Sequence, residues 1–152
     1  MEARAWFPPS MDSPALLAIT ALVIGATAIG LVIRARSGRV VVADRSGAAD
    51  ARLAVPGADV TLLQLSSPVC SACAVMRRVS EELVAEEDGL ARRELDVTEH
   101  PDLASAHGVL STPTTLLVDS TGVVRGRIVG AAKPADVRDA VRSVRESIGA
   151  AA

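Results

Sequence analysis

Aromatic side chains are almost missing from this sequence. Trp6 and Phe7 are the only two rings, there is no tyrosine, and both precede the first hydrophobic run. Whatever folds downstream builds its core from Val, Leu, Ile, Ala and Met, and modules that stack bases on aromatic platforms are excluded because no ring is left to stack. Cysteine is nearly as scarce. Two of them, Cys70 and Cys73, make neither a disulfide-rich secreted scaffold nor a four-cysteine zinc site within one chain. The other soft metal ligands are His100 and His107, and the resulting C-x2-C-x26-H-x6-H pattern is not a zinc-finger spacing. A metal shared across a dimer is the one metal reading left. Net charge is scarce too: −2 over 152 residues, which argues against a nucleic-acid partner. The length suits one domain of roughly 100 residues with an appendage.

The small total conceals a division. Residues 1–33 carry a net charge of −1, residues 34–57 carry +3 from five arginines, and the remainder carries −4. Ala15–Ile33 reads ALLAITALVIGATAIGLVI, 19 residues without a charge. As a helix it spans roughly 28 Å, the hydrocarbon thickness of a bilayer. A cleaved signal peptide would have a shorter apolar stretch, a basic start and a small-residue cleavage site, whereas Arg34-Ala35-Arg36 follows here. The expected organisation is therefore a short tail (1–14), a transmembrane helix (15–33), a basic juxtamembrane linker (34–57) and a folded domain (58–149). One arginine precedes the run and five follow it closely. The positive-inside rule then sets the N-terminus outside and the domain in the cytoplasm, with the basic strip against anionic lipid.

Within the domain, Val60–Leu65 is an apolar run bounded by Pro56-Gly57 and Ser66-Ser67-Pro68, as a buried strand of a parallel sheet should be. A helix is expected over 70–88, with Cys73, Met76, Val79 and Leu83 at helical spacing, and a second strand over 93–97. A short helix follows at 101–108. Residues 114–119 and 123–129 form a β-hairpin around Ser120-Thr-Gly122, and a last amphipathic helix opens at Lys133-Pro134. Val40–Ala43 is a further strand candidate. The order β-α-β-α-β-β-α implies an α/β fold, a mixed sheet with helices on both faces.

Cys70-Ser-Ala-Cys73 falls where the first of these strands hands over to its helix. Unpaired N–H groups and the helix dipole at that end stabilise a thiolate, and a two-residue gap returns Cys73 to Cys70 after one turn. Cys70 is then the exposed nucleophile that attacks a substrate disulfide, and Cys73 resolves the mixed disulfide. Arg77 and Arg78 read as a solvated helix face. His100 reads as an exposed turn residue, and His107 as an ordinary helix C-terminal histidine.

Four landmarks in order carry a resemblance over residues 58–149: the apolar strand, Cys70-Ser-Ala-Cys73, Thr112-Pro113-Thr114, and Gly122 followed by Gly130. Together they resemble the thioredoxin superfamily. The phrase Thr-Pro-Thr-Thr-Leu-Leu-Val-Asp and the N-terminal anchor look like its membrane-anchored, TlpA-like branch. The resemblance implies a thioredoxin-like fold and a cis Pro113 facing the cysteines. It also implies a groove in which the backbone of Thr112 pairs with an extended substrate. The redox centre would be the Cys70–Cys73 disulfide/dithiol itself, without a cofactor. Implied partners are protein disulfides, an upstream thiol or reductase electron donor, and the membrane. This chain departs from thioredoxin proper at Val69 (a tryptophan there), at Ser71-Ala72 (Gly-Pro) and at Gln64, where the family keeps a buried aspartate that takes a proton during resolution. The expected activity is disulfide reduction on the cytoplasmic side. The same reductase on the outer face, acting on apocytochrome or envelope proteins, and a redox-silent peptide-binding module are the alternatives.

Overall fold

Every residue from Val60 to Ser66 is buried, so this strand has to lie inside a sheet with both faces covered. The computed structural model describes residues 13–36, 39–42 and 49–150, and the chain divides into two units, Met1–Arg36 and Ser37–Ala152. The second unit holds strands β1 (Arg39–Val42), β2 (Val60–Ser66), β3 (Leu90–Asp96), β4 (Thr114–Asp119) and β5 (Val124–Val129), with helices α2 (Ser71–Glu86), α3 (Pro101–Ala106) and α4 (Pro134–Gly149). Helix α1 (Ser13–Arg36) makes up the described part of the first unit. The sheet has five strands in the order β1-β5-β4-β2-β3. β2 and β3 are parallel, and the other pairs are antiparallel.

Side chains alternate across the sheet, so each face has its own core. On one face Val60, Leu62, Leu117 and Ile128 pack under Met76, Val79 and Leu83 of α2 and Val137, Val141 and Val144 of α4. Gly126 lets α4 approach: a Cβ there would lie 3.5 Å from Leu117 and 3.6 Å from Val144. On the other face Leu63, Leu65, Leu116 and Val118 gather with Leu53 and Ala54, and Leu103 of α3 and Val109 close over them. This is the mixed sheet with helices on both faces that the element order implies.

Several boundaries differ from the sequence reading. β3 begins at Leu90 instead of residue 93, because Leu90 pairs with Val60 and is buried, while Gly89 makes the preceding turn with φ +75. The segment 34–57, expected as a linker, contributes β1, antiparallel to β5, and the buried Leu53 and Ala54. It is also tied to the hairpin turn. The Asp50 N–H donates to the Gly122 carbonyl at 3.1 Å, and a Cβ on Gly122 would fall 2.3 Å from the Asp50 backbone, so that turn needs a glycine. Val40 to Val42 of the strand candidate Val40–Ala43 fall in β1, whereas a lone Leu-Ala pair carries too little periodicity to be read from composition.

Helix α1 begins at Ser13, inside the tail expected over 1–14; residues 1–12 lie outside the described set. Its described apolar side chains, among them Leu17, Leu22, Ile24 and Ile29, are exposed, and the Thr20 and Thr27 hydroxyls donate to the Leu16 and Val23 carbonyls of the helix itself. Among the described residues no helix is long and apolar enough to cross a membrane. The transmembrane helix expected over 15–33 is therefore not shown among the described residues.

The β4–β5 hairpin is held by Asp119, only 2% exposed. Its Oδ1 accepts from the Thr121 N–H (2.9 Å), the Thr121 hydroxyl (2.6 Å) and the Val123 N–H (3.0 Å), and its Oδ2 from Arg125 Nε (2.7 Å). Burial alone would raise this carboxyl, but the bonds from Thr121, Arg125 and Val123 outweigh it and hold it below the usual aspartate value. Asp119→Ala is expected to lower unfolding stability by about 3 kcal/mol, since it strands buried donors and a partly buried guanidinium. A carboxyl whose pKa is lowered on folding contributes above its unfolded value of about 3.9 and loses that contribution as pH falls through the folded value. The deficit of Asp119→Asn in urea unfolding should therefore shrink below about pH 4.

Candidate active site

Two loops meet at one end of the sheet because β2 and β4 are antiparallel neighbours. β2 runs out at Ser66 into the cysteine segment, and β4 starts beside it at Thr114, paired with Leu65. A contact of 3.2 Å between the hydroxyls of Ser67 and Thr112 joins the two loops directly. The peptide bond Thr112–Pro113 is cis, and the Pro113 carbonyl accepts from the Gly130 N–H at 2.8 Å.

Cys70 is the N-cap of α2, and its sulfur accepts from the Cys73 N–H at 3.1 Å. The first turn of α2 has no acidic side chain, so the helix N-terminus acts on that sulfur without an opposing charge beside it in sequence. Cys70 is half-buried and Cys73 is 2% exposed. The two are joined as a disulfide with Cα atoms 5.3 Å apart. Apolar surface flanks the pair: Val69, next to Cys70, is 96% exposed, and Leu110, two residues before Thr112, is 97% exposed. Beyond Thr112 a cavity of about 510 Å³ opens between α3 and the 108–112 loop, lined by Val97, Pro101, Ala104, Val109 and Leu110 among others. An extended chain laid along Thr112 would meet mostly carbon there.

Gln64 lies behind the cysteines with no exposed surface. Its Nε2 donates to the Cys73 carbonyl at 3.1 Å and faces Glu94 Oε1 at 3.5 Å. Glu94 is a residue the sequence reading missed. It is Gln64's register partner on β3, and it accepts from the Ser66 hydroxyl (2.7 Å), from Arg77 (2.9 and 3.0 Å) and from Arg92. Burial pushes the Glu94 carboxyl up, but the bonds from Arg77 and Ser66 and the charges of Arg77 and Arg92 outweigh it and hold it below the usual glutamate value. Arg77 is thus half of an ion pair behind the site and not only a solvated residue. The parallel pairing of β2 with β3 was the signal that could have found Glu94, through the register it imposes. His100 is exposed. His107 is pushed down by burial and by Arg127, against a smaller opposing pull from Asp50, and it lines a different cleft with Asp50 and Arg52. Among the described residues no cluster of three or more His, Cys, Asp or Glu could hold a metal.

Comparison with known proteins agrees with this geometry. The sequence is 27% identical over 84 residues to the SPbeta prophage-derived thioredoxin-like protein YosR of Bacillus subtilis (strain 168), covering 55% of this chain and 98% of that protein. A mutant thioredoxin from Halobacterium salinarum NRC-1 superposes with a TM-score of 0.51 at 32% identity, over 57% of this chain and 75% of the other. The oxidized mitochondrial thioredoxin 3 of Saccharomyces cerevisiae shares the fold, with a TM-score of 0.50 at 23% identity over 57% and 79% of the two chains. No family model matches the sequence.

Proposed function

Since the chain belongs to the thioredoxin superfamily, we propose that it is a membrane-anchored thiol–disulfide oxidoreductase that reduces protein disulfides through Cys70 and Cys73. One observation carries the chemistry: a half-buried cysteine at a helix N-terminus is bonded to an enclosed one, next to a cis-proline loop. Starting from the dithiol, the Cys70 thiolate attacks a substrate sulfur, the substrate S–S bond breaks, and its other sulfur leaves as a thiolate. Cys73 then attacks Cys70, the mixed disulfide breaks, and the second substrate sulfur departs with its electron pair. The products are a substrate dithiol and the Cys70–Cys73 disulfide, which an upstream thiol or reductase returns to the dithiol. Thr112 and Pro113 form the wall along which the substrate chain lies.

The anchor is supported by the 19 uncharged residues of Ala15–Ile33, by their place in a 24-residue helix and by the internally bonded Thr20 and Thr27 hydroxyls, as a hydrocarbon environment demands. Five arginines on its C-terminal side support a cytoplasmic domain. In a reducing compartment the pair rests as the dithiol, so reduction is the favoured direction. The TlpA-like phrase from Thr112 to Asp119 supports a second reading, the same chemistry on the outer face toward apocytochrome or envelope proteins.

Two measurements test this. The pre-reduced full-length chain should reduce insulin disulfides, and failure to do so would leave the redox-silent peptide-binding module. In intact cells an impermeant maleimide should leave Cys70 unlabelled until the membrane is permeabilised. Labelling before permeabilisation would move the domain to the outer face.

A further inference from the structure

A row of polar side chains crosses the sheet behind the disulfide. Glu94, Gln64 and Thr115 are register partners on β3, β2 and β4. Leu62 and Leu117, two residues away from Gln64 and Thr115, belong to the core under α2 and α4, so by strand alternation the row faces that helix layer. Gln64 and Thr115 have no exposed surface, yet among the described residues Gln64 Oε1 and Thr115 Oγ1 are both buried without a hydrogen-bond partner. Buried acceptors left unmade are costly, and native structures hold few of them.

The amide cannot escape by turning over. Its Nε2 meets two acceptors, the Cys73 carbonyl and Glu94 Oε1, and a turned amide would set oxygen against oxygen at both. Glu94 in turn is fixed by Ser66, Arg77 and Arg92. Gln64 is therefore locked with its oxygen free to accept. The residue that changes next to it is Cys73, whose carbonyl the amide already holds. In the disulfide its sulfur carries no proton, but in the dithiol it carries an S–H, 2% exposed with its residue, that needs an acceptor away from water.

We propose that Gln64 Oε1 and Thr115 Oγ1 form the acceptor site for the Cys73 S–H of the dithiol, so that the redox state of the pair decides whether these buried oxygens are satisfied. The inference deepens the proposed oxidoreductase function and rests on it for its role in turnover. In the resolving step the Cys73 sulfur bonds to Cys70, the Cys70–substrate S–S bond breaks, and the substrate sulfur takes the electron pair. The proton of Cys73 passes to that leaving sulfur, because neither a carboxamide nor a hydroxyl holds it as a base near neutrality. Glu94 is a positioning residue here, acting through the amide. The site stabilises the dithiol over the disulfide and makes the pair less reducing than it would be without the two oxygens.

The test is the redox equilibrium of the purified full-length chain in detergent against glutathione buffers, at one pH below the thiol range, with thiols trapped by a maleimide mass tag. Thr115→Val keeps the shape and removes the oxygen. It should lower the dithiol-to-disulfide equilibrium constant about two- to fivefold, a modest change because S–H is a weak donor. Thr115→Ser should restore the wild-type constant, and Gln64→Met should lower it in the same direction. Where valine prevents cooperative unfolding, Thr115→Ala against Thr115→Ser carries the comparison. A constant unchanged in Thr115→Val, or lowered equally in Thr115→Ser, overturns the assignment. The readout needs only glutathione and the two cysteines, so a chain unable to reduce insulin would defeat the proposed function and leave this test standing.

Discussion

A full-length chain carrying Cys73→Ser is expected to accumulate mixed disulfides with its substrates and to complete no turnover, while Cys70→Ser is expected neither to trap substrates nor to turn over. The asymmetry follows from burial and from the helix. Cys70 caps α2 and is half-buried, so a substrate sulfur reaches it, whereas Cys73 is 2% exposed. The N-terminal N–H groups of α2 favour the anionic form of a sulfur at Cys70; a serine hydroxyl there stays protonated at neutral pH and does not attack a disulfide. Insulin reduction by Cys70→Ser should therefore fall to the rate of the free reductant. Cys73→Ser keeps the first step and loses the second, leaving the substrate bonded to Cys70 until an external thiol arrives. Non-reducing gels, with peptide mapping of the cross-linked cysteine, read both results. Trapping by Cys70→Ser instead would reverse the two roles.

The centre of this fold was legible because its signals are local. An apolar strand, a cysteine pair at a strand-to-helix junction, a Thr-Pro-Thr phrase and a glycine-turn hairpin each occupy a short window, and all four lie at adjoining places in the sheet. What stayed hidden depends on register. Glu94 stands in Leu90–Asp96, a strand expected over 93–97 whose register no short window supplies. Only its parallel pairing with β2 brings it to Gln64, and no sequence window contains both. Arg77 is similar: from the helix it reads as solvated, but from across the sheet it is the partner of Glu94. Leu53 and Ala54 escaped for another reason. They fill the far face of the sheet from a segment without regular structure, next to α3, which buries no side chain of its own completely, and burial of that kind leaves no period to read.

Restoring a carboxyl at the position the family reserves for one, Gln64→Asp, is expected to speed the resolving step at neutral pH and to destabilise the fold. The position has no exposed surface, so desolvation raises the introduced carboxyl, and Glu94 opposite it on β3 raises it further by like charge. A raised pKa is what allows a carboxylate to take the Cys73 proton near neutrality, and general-base help of this kind is worth up to about 10²-fold. The losses are equally specific. The shorter side chain gives up the Nε2 bond to the Cys73 carbonyl and the contact with Glu94, and the charge is buried among aliphatic neighbours, lowering stability by about 1–3 kcal/mol. A carboxyl whose pKa is raised on folding binds its proton more tightly in the native state. Stability of the variant should therefore fall as pH rises from about 4 toward neutrality, opposite to the Asp119 case. Glu94→Gln in the same chain should remove the like charge and return part of the stability. Single-turnover resolution rates and urea midpoints across pH, for the single and double variants, decide the matter. Lower stability with no rate gain at any pH would mean that the proton of Cys73 needs no carboxylate, and that the neutral amide is sufficient for the chemistry of this site.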